Sequence, residues 1–226
     1  MKISEKRHYA VITGDIVRSS RLSVSQRRWL VSELKRASAA ARRVFGSIVP
    51  LALDQFRGDG WQILVTAPRR SLRVGLFLRA WLMAEAPDWL HLDTRMAIGV
   101  GGLSLLPGGR VSRGDGEAFQ RSGRALDGLR EPQRLALVWP DTVGSAAEAL
   151  KVLAPVLDAL AQGWTPVQAR ALVGRLSGLT QERIVRNWPE PVTRQAIARI
   201  LARAHWPAVR AVLDWMEKSN LWRLQS

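Results

Sequence analysis

The stretch that decides the fold of this chain runs Tyr9-Ala-Val-Ile-Thr-Gly-Asp-Ile-Val-Arg-Ser-Ser20. It begins as an apolar, β-branched run, which predicts a strand over residues 8–14 that is buried on both faces. The run ends at Gly14-Asp15, so a carboxylate lies at the carboxyl end of a buried strand. Polar residues follow, and their backbone N–H groups are able to face a phosphate group.

A second carboxylate stands in a similar local context, in Phe56-Arg-Gly-Asp-Gly-Trp61. Its Gly-Asp-Gly is typical of a tight turn, and it lies between two strand-like runs, residues 48–56 and 61–66. A carboxylate at a strand end and another at a hairpin tip can together hold a divalent metal over a nucleotide. Because aspartate is also common as a plain turn or helix-capping residue, both interpretations stay open at this point.

The pattern up to residue 140 alternates between helices and strands. Apolar residues at helical spacing predict helices over residues 25–45, 68–86 and 117–129. Further strands are predicted within residues 93–105 and over residues 134–139. The order β-α-β-β-α-β-α-β begins as the split βαβ arrangement of ferredoxin-like and polymerase-palm folds. We therefore predict an α+β domain with its helices on one face of a largely antiparallel sheet.

Beyond Pro140 the strand pattern disappears. Five segments have helical spacing instead, and they cover residues 146–161, 166–177, 181–188, 193–204 and 207–217. This change of pattern predicts a domain boundary. We expect an α+β domain over residues 1–142 and a small all-α domain over residues 143–226.

The composition indicates which classes of partner to expect. The chain has 34 Lys and Arg against 19 Asp and Glu, a formal net charge of +15. Such an excess is typical of proteins that contact a polyanion, but solvated helix faces of an arginine-rich chain give the same balance. With no cysteine and three histidines at no metal-ligand spacing, neither disulfides nor a histidine-based zinc site is expected. No signal sequence or membrane span is apparent, so we expect no membrane contact and a cytoplasmic location.

Four segments of the chain carry a resemblance to a known family. They are Thr13-Gly-Asp-Ile-Val-Arg-Ser-Ser20, Arg57-Gly-Asp-Gly-Trp61, Arg95-Met-Ala-Ile-Gly-Val-Gly101 and Gly116-Glu-Ala-Phe-Gln-Arg-Ser-Gly-Arg-Ala-Leu126. In this order they resemble the class III nucleotidyl cyclases, which have a palm-like, ferredoxin-like core. More closely, this first domain resembles the bacterial SatD-type family, which joins such a domain to a C-terminal helix-turn-helix. The four segments cover about residues 8–139.

The resemblance implies a site for a nucleoside triphosphate and two divalent cations, Mg²⁺ or Mn²⁺. Asp15 and Asp59 would be the metal ligands. The triphosphate would lie near the backbone of the residues after the first strand, which are Ile16, Val17, Arg18, Ser19 and Ser20. One metal would lower the pKa of the ribose 3′-hydroxyl, and the other would neutralise the leaving pyrophosphate.

Other positions match the family less closely. Gln120 and Arg124 stand where cyclases carry an asparagine and an arginine that steady the ribose and the developing charge. Gln55 and Arg113 stand where an adenylyl cyclase has the lysine and the aspartate that read the base, so adenine recognition by that pair is not expected. In the family, the metal-binding aspartates and the asparagine-arginine helix of one site come from different protomers, which implies a homodimer with Arg124 acting in trans.

The second part contains a pattern that resembles a helix-turn-helix. Its two helical segments, residues 179–188 and 192–206, are separated by a turn with Pro189 and Pro191 that is longer than usual. The predicted caps are Thr180 and Thr193, and the predicted core consists of Ile184, Ala196, Ile197 and Ile200. The predicted contacts to the major groove of double-stranded DNA are Thr193, Arg194, Gln195 and Arg199. A helical dimerisation module is the alternative interpretation.

Two functions are consistent with these patterns. The first is a metal-dependent nucleotide-binding protein that forms a cyclic nucleotide from a nucleoside triphosphate for signalling. The second is a DNA-binding transcriptional regulator whose α+β domain is a non-catalytic nucleotide sensor or a dimerisation module. The departures at residues 55, 113 and 120 leave turnover open.

Overall fold

The stretch quoted above forms the central strand of a five-stranded sheet. The structure is a computed structural model that describes residues 4, 7–56, 58–87, 90, 92–140 and 145–218. The strands are β1 (Tyr9–Ile16), β2 (Asp54–Phe56), β3 (Gly60–Val65), β4 (Thr94–Gly101) and β5 (Leu135–Val138). The helices between them are α1 (Val24–Phe45), α2 (Ser71–Glu85) and α3 (Glu117–Gly128). The predicted α+β class and the predicted element order are confirmed.

The sheet places β1 in the middle, in the order β2-β3-β1-β4-β5. Strand β1 is antiparallel to β3 and β4, and β4 is parallel to β5. Successive side chains of a strand point to opposite faces, so β1 contributes to two hydrophobic cores. Ala10, Ile12 and Ile16 lie in the larger core, and Tyr9 and Val11 lie in the smaller one. Burial of β1 on both faces agrees with its continuous apolar run.

Strand β2 is shorter than the sequence pattern predicts. The pattern indicates a strand over residues 48–56, whereas β2 covers only Asp54–Phe56. Gly46–Ile48 forms a 3₁₀ turn directly after α1. Pro50 then has no N–H to donate to a neighbouring strand. Pairing across the hairpin therefore begins only four residues after this proline.

Helix α3 lies on the face of the sheet opposite to α1 and α2, which corrects the prediction that all helices cover one face. Its residues Ala118 and Phe119 belong to the smaller core. Gly99 of β4 permits this packing, because a Cβ at this position would lie 2.3 Å from the backbone nitrogen of Ser122. The hydroxyl oxygens of Ser122 and Thr13 lie 2.8 Å apart in the same interface.

The described residues after 144 are helical. The helices are α4 (Ser145–Gln162), α5 (Pro166–Leu176), α6 (Gln181–Arg186), α7 (Arg194–Arg203) and α8 (Trp206–Lys218). Helix α4 packs against β5, and α5 packs along α2. The predicted boundary between residues 142 and 143 lies outside the described residues, so the division into two domains stays a prediction. No helix within the described ranges combines the length and the apolar character needed to cross a membrane.

Helix α2 lies between the sheet and the helical part. Twelve of its fifteen residues are buried, as expected for a helix that is apolar on all sides. Its ends are also tied to the helical part, since Arg73 forms an ion pair with Glu217 of α8 at 2.5 Å. Arg170 of α5 donates a hydrogen bond to the carbonyl of Ala84 at 3.4 Å. The larger core therefore continues from the sheet into the helical part.

A buried ion network joins α2, α4 and the sheet. The guanidinium of Arg79 is fully buried and donates to both carboxylate oxygens of Asp93 and to Asp158 of α4, each at 2.8 Å. Arg134 donates to Asp93 from its side chain and to Asp158 from its backbone, each at 2.6 Å. Burial opposes the charge of Asp93, but the hydrogen bonds and the charge of Arg79 outweigh it, so the pKa of Asp93 lies below its ordinary value.

We predict that Arg79→Met lowers the free energy of unfolding by about 3–5 kcal/mol, since the two aspartates lose the charge that balances them. Urea denaturation at pH 7 measures this. Arg210→Met is the control, because Arg210 is 57% exposed and pairs with Asp214 at 3.5 Å; exposed pairs contribute about 0–1 kcal/mol. Equal losses in the two variants would contradict a special role for the buried network.

The same network predicts a pH dependence. A carboxylate whose pKa is depressed by folding stabilises the protein above its unfolded pKa of about 4, and this contribution is lost as the pH falls through the folded pKa. The free energy of unfolding of the wild type should therefore decrease between about pH 5 and pH 2. The difference in the free energy of unfolding between the wild type and Arg79→Met should become smaller over the same range, because a protonated Asp93 carries no charge for Arg79 to balance.

Candidate functional site

Asp15 lies near the end of β1, directly opposite Arg95 of β4. The guanidinium of Arg95 binds both carboxylate oxygens of Asp15, with Nε 2.9 Å from Oδ1 and Nη2 2.5 Å from Oδ2. Thr94 donates to the carbonyl of Asp15 at 2.6 Å and accepts from the indole N–H of Trp61 at 3.0 Å. The Trp61 ring packs against Gly14, where a Cβ would lie 2.4 Å from it. Gly14 is thus required by packing, and the backbone of Asp15 is firmly held.

Asp59 lies in the turn between β2 and β3 and is tied to the loop after β1. The Ser19 hydroxyl donates a hydrogen bond to its carboxylate. Ser19 begins a 3₁₀ turn, Ser19–Arg21, and Arg18 before it has a left-handed backbone with φ 59°. Arg57, which belongs to the predicted motif, lies outside the described residues. The hydrogen bond brings the hairpin tip and the loop together.

Asp15 and Asp59 line one pocket of about 220 Å³. The other residues that line it are Ile16, Val17, Arg18, Ser19, Ser20, Arg95 and Glu131. The structure therefore brings together the two predicted metal ligands and the five residues that were predicted to lie near a triphosphate, of which Ile16 ends β1 and the other four form the loop after it. Glu131, which follows α3, adds a third carboxylate to the rim.

The donor set of this pocket fits a divalent cation that keeps part of its hydration shell. Within the described ranges there is no cluster of three or more acidic, His or Cys residues arranged as a complete metal site. Mg²⁺, however, is commonly bound by one or two carboxylates together with water and substrate phosphates. Each carboxylate oxygen of Asp15 accepts one hydrogen bond from Arg95 and has a second lone pair. Asp15 and Asp59 are the residues that would hold the cation.

Arg95 and Glu131 were not predicted as site residues. The hydrogen bond with Asp15 raises the pKa of Arg95; burial lowers it, and the charges of Asp15, Asp59 and Glu131 raise it further. The guanidinium thus pairs with Asp15 and lies in the same pocket as Asp59 and Glu131. In the sequence, Arg95 stands out only as the first residue of the segment Arg95–Gly101. Its position opposite Asp15 follows from the register of β1 and β4. Glu131 belongs to no recognisable motif.

A second pocket of about 270 Å³ adjoins the first and shares Ser19, Ser20 and Asp59 with it. The remaining residues of its lining are Leu22, Arg27, Leu30, Val31, Leu34, Gln55 and Gly58. The side-chain nitrogen of Gln55 is buried and has no hydrogen bond partner among the described residues. An unpaired amide donor in a largely apolar pocket favours a ligand with a polar edge.

Three further predicted residues lie away from both pockets. Gln120 and Arg124 are exposed on α3, and Arg113 is exposed at the end of the 3₁₀ turn Val111–Arg113. None of the three belongs to the pocket linings given above. The neighbouring Ser112 and Arg110 instead hold Asp54 of β2, with Arg110 Nη2 3.2 Å from the carboxylate. Roles for Gln120, Arg124 and Arg113 stay predictions.

The predicted DNA-contacting residues belong to α7 and its cap, with Thr193, Arg194 and Gln195 at the start of the helix and Arg199 in its middle. Thr193 caps this helix by accepting a hydrogen bond from the Ala196 N–H at 3.1 Å, and Thr180 caps α6 in the same way. Arg194, Gln195 and Arg199 are exposed. Arg194 forms an ion pair of 2.9 Å with Glu182 of α6.

The core beneath these helices differs in part from the predicted set. Ile184 and Ile197 are buried, whereas Ala196 and Ile200 are only half-buried. Leu201 is buried in their place, at 3% exposure. Positions 197 and 201, one turn apart, face the core, and this puts position 200 at its edge.

Known proteins resemble this chain in fold and not in sequence. No protein-family model matches the chain, and no curated protein matches it in sequence, so the resemblance to the SatD-type family stays a prediction. A solved structure of a bacterial light-regulated adenylyl cyclase is similar, with 18% identity and a TM-score of 0.44 over 58% of this chain and 75% of that one.

Two further solved structures are similar at the same level. The catalytic core of a rhodopsin-guanylyl cyclase with converted specificity, in complex with ATPαS, has 17% identity and a TM-score of 0.42 over 56% of this chain and 74% of that one. The active GGEEF domain of a diguanylate cyclase from Vibrio cholerae has 15% identity and a TM-score of 0.35 over 60% of this chain and 85% of that one. Similarity at this level carries no information on activity.

Proposed function

We propose that the α+β part binds a nucleoside triphosphate together with Mg²⁺ or Mn²⁺ and acts as a nucleotidyl cyclase-like enzyme in signalling. The observation that carries this proposal is the convergence of Asp15, Asp59 and residues 16–20 on one pocket. Asp15 comes from β1 and Asp59 from the turn between β2 and β3, and the two residues are held in place by independent contacts. This arrangement, together with the sequence resemblance, supports metal-nucleotide binding.

The phosphates would lie against the loop after β1. Arg18 contributes a positive charge at the pocket, and the loop is fixed to the hairpin by the Ser19–Asp59 hydrogen bond. A divalent cation at the two aspartates would supply neutralisation of phosphate charge and a lowered pKa for a ribose hydroxyl. The protein's own contribution is to hold Asp15 rigidly through Thr94, which limits reorganisation when a charged ligand binds.

The base would occupy the second pocket. Leu30 and Leu34 of α1 supply apolar contact, and the buried amide of Gln55 is available as a donor. An amide offers both a donor and an acceptor, so it can pair with more than one base edge. A lysine in this position would offer only donors, and Gln55 therefore supports a base preference different from that of an adenylyl cyclase.

A second copy of the chain would complete the site. Gln120 and Arg124 are exposed on the outer side of α3 and do not line either pocket of their own chain. If they serve the nucleotide, they do so from another protomer. A two-fold dimer would then contain two equivalent sites, each with the aspartates of one chain and Arg124 of the other.

Metal-nucleotide binding is tested with isosteric variants. Calorimetry with Mn²⁺ and a non-hydrolysable triphosphate of each base should detect binding to the wild type that is lost in Asp15→Asn and in Asp59→Asn, because each loses a charged metal ligand. Asp54→Asn is the matched control, since Asp54 is also a strand aspartate paired with an arginine but lies outside both pockets. Equal binding in the wild type and all three variants would exclude a metal-nucleotide site here.

Turnover and the shared site are tested by mixing subunits. Wild type incubated with each nucleoside triphosphate and Mn²⁺ should give a cyclic product, detected by mass spectrometry. Asp59→Asn and Arg124→Ala should each be inactive alone. An equal mixture should recover about a quarter of wild-type activity, because half of the dimers have one intact site. If the wild type is active but the mixture stays inactive, Arg124 does not act in trans. A wild type that binds but never cyclises would be a nucleotide sensor.

DNA binding by α7 is a second candidate function. The observation that favours it is the composition of α7, which carries three arginines and no acidic residue. The helix is capped at Thr193, packed through Ile197 and Leu201, and exposes Gln195 and Arg199. A rigid helix with an exposed, positively charged face is suited to the major groove of double-stranded DNA.

The DNA-binding proposal predicts a loss of specific affinity in the double variant Arg194→Ala/Gln195→Ala. If each side chain makes a bidentate base contact, DNA selected from a genomic pool should bind the full-length variant about 2–5 kcal/mol more weakly than the wild type. Arg210→Ala on α8 is the control and should retain the wild-type affinity. A wild-type chain that selects no DNA at moderate salt would rule out this function.

A further inference from the structure

We propose that Arg95 is a built-in counter-ion of the nucleotide site, which keeps a divalent cation off Asp15 until a nucleotide arrives. The inference rests on the proposed metal-nucleotide site and adds a regulatory feature to it. Arg95 occupies the carboxylate that the cation would bind, so cation and nucleotide bind together and the cation binds weakly on its own.

Arg95 and Asp15 are direct partners in the β1–β4 register, so their side chains leave the same face of the sheet at adjacent positions. The pair is bidentate, at 2.9 and 2.5 Å. Bidentate guanidinium-carboxylate pairs are among the stronger charge-assisted hydrogen bonds in proteins. A cation that approaches Asp15 must therefore share the carboxylate with Arg95 or displace it.

The pocket has three carboxylates, those of Asp15, Asp59 and Glu131, and two guanidinium groups, those of Arg18 and Arg95. Of the two guanidinium groups, that of Arg95 is the one that pairs directly with Asp15. Arg95 is thus the charge that balances the acidic cluster in the absence of a ligand. Without Arg95, the Asp15 carboxylate would have no paired charge and would attract a divalent cation more strongly.

The Arg95 side chain has more freedom to move than the backbone of Asp15. The backbone of Asp15 is held by Thr94, whereas the side chain of Arg95 is 36% exposed and long enough to turn away. A triphosphate in the pocket would offer oxygen acceptors to the displaced guanidinium, in the bidentate geometry that arginine prefers. Arg95 would then exchange a carboxylate for a phosphate while the cation takes its place. Binding of the cation and of the nucleotide would be positively coupled, each raising the affinity for the other by the same factor.

The test measures Mn²⁺ binding, by electron paramagnetic resonance of the free ion, with and without a non-hydrolysable triphosphate. Wild type should bind Mn²⁺ weakly alone and much more tightly with the nucleotide. Arg95→Gln removes the charge and should raise the affinity for Mn²⁺ alone by roughly tenfold or more, with a smaller gain on adding nucleotide. The increase in affinity for Mn²⁺ alone should disappear in the double variant Arg95→Gln/Asp15→Asn, because the carboxylate that binds the cation is also removed. Arg110→Gln is the matched control, since Arg110 also forms a two-pronged pair with a strand aspartate, Asp54, outside the pocket.

The outcomes separate the two proposals. If wild type binds Mn²⁺ with nucleotide but Arg95→Gln gains no affinity for Mn²⁺ alone, the counter-ion role is wrong and the metal-nucleotide site stands. If neither protein binds Mn²⁺ under any condition, both proposals fall. If Arg110→Gln gains as much affinity for Mn²⁺ alone as Arg95→Gln does, the effect comes from the net charge of the protein. That result would also overturn the inference.

A measurement on the wild type covers the case in which Arg95→Gln does not fold. The Nε–H resonance of Arg95, assigned by its loss in Arg95→Lys, should keep its chemical shift when millimolar Mg²⁺ is added alone. It should move when Mg²⁺ and the nucleotide analogue are added together, because the guanidinium changes partners. An unchanged resonance in the fully bound protein would contradict the exchange.

Discussion

A fully buried arginine is stable only when its charge is balanced, and Arg79 is balanced by two carboxylates from distant parts of the chain. Asp93 comes from the segment just ahead of β4, and Asp158 comes from α4. The consequence reaches the candidate site in two short steps. The carbonyl of Asp93 accepts a hydrogen bond from the backbone N–H of Val17 at 2.9 Å, and the next residue, Thr94, holds the carbonyl of Asp15. The buried ion network of Arg79 therefore helps to position the loop and the strand end that form the first pocket.

Much of the fold follows from local sequence pattern, and the exceptions have identifiable causes. The apolar run of β1 and the helical spacing of α1, α2 and α3 predict the order of elements, because period and length are local properties. The short β2 depends on Pro50, which removes a donor from the expected strand. The position of α3 depends on Gly99, where the missing side chain admits a helix backbone to the sheet. The buried charge of Arg79 depends on partners 14 and 79 residues away in sequence, which no local pattern indicates.

The residues of the candidate site were likewise predicted only in part. Asp15 and Asp59 stand out in the sequence because each follows a glycine beside a strand, and the structure brings both to one pocket. Arg95 and Glu131 were missed because their proximity to Asp15 depends on strand register and on the connection after α3 rather than on spacing along the chain. In the helical part, the caps Thr180 and Thr193 were predicted from residue type and are present. The exact face of α7 was not predictable, because Leu201 rather than Ile200 completes the core.

The burial of α2 on nearly all sides has a practical consequence for work with this protein. A fragment that ends at residue 140 would retain all five strands and α1 to α3. It would lack α5, however, and would present the apolar side of α2 to water, while Arg79 would keep only one of its two carboxylate partners. Such a fragment would be prone to self-association through a surface that does not exist in the intact chain. Oligomers seen with a truncated preparation would then report on this artificial surface and not on the native assembly.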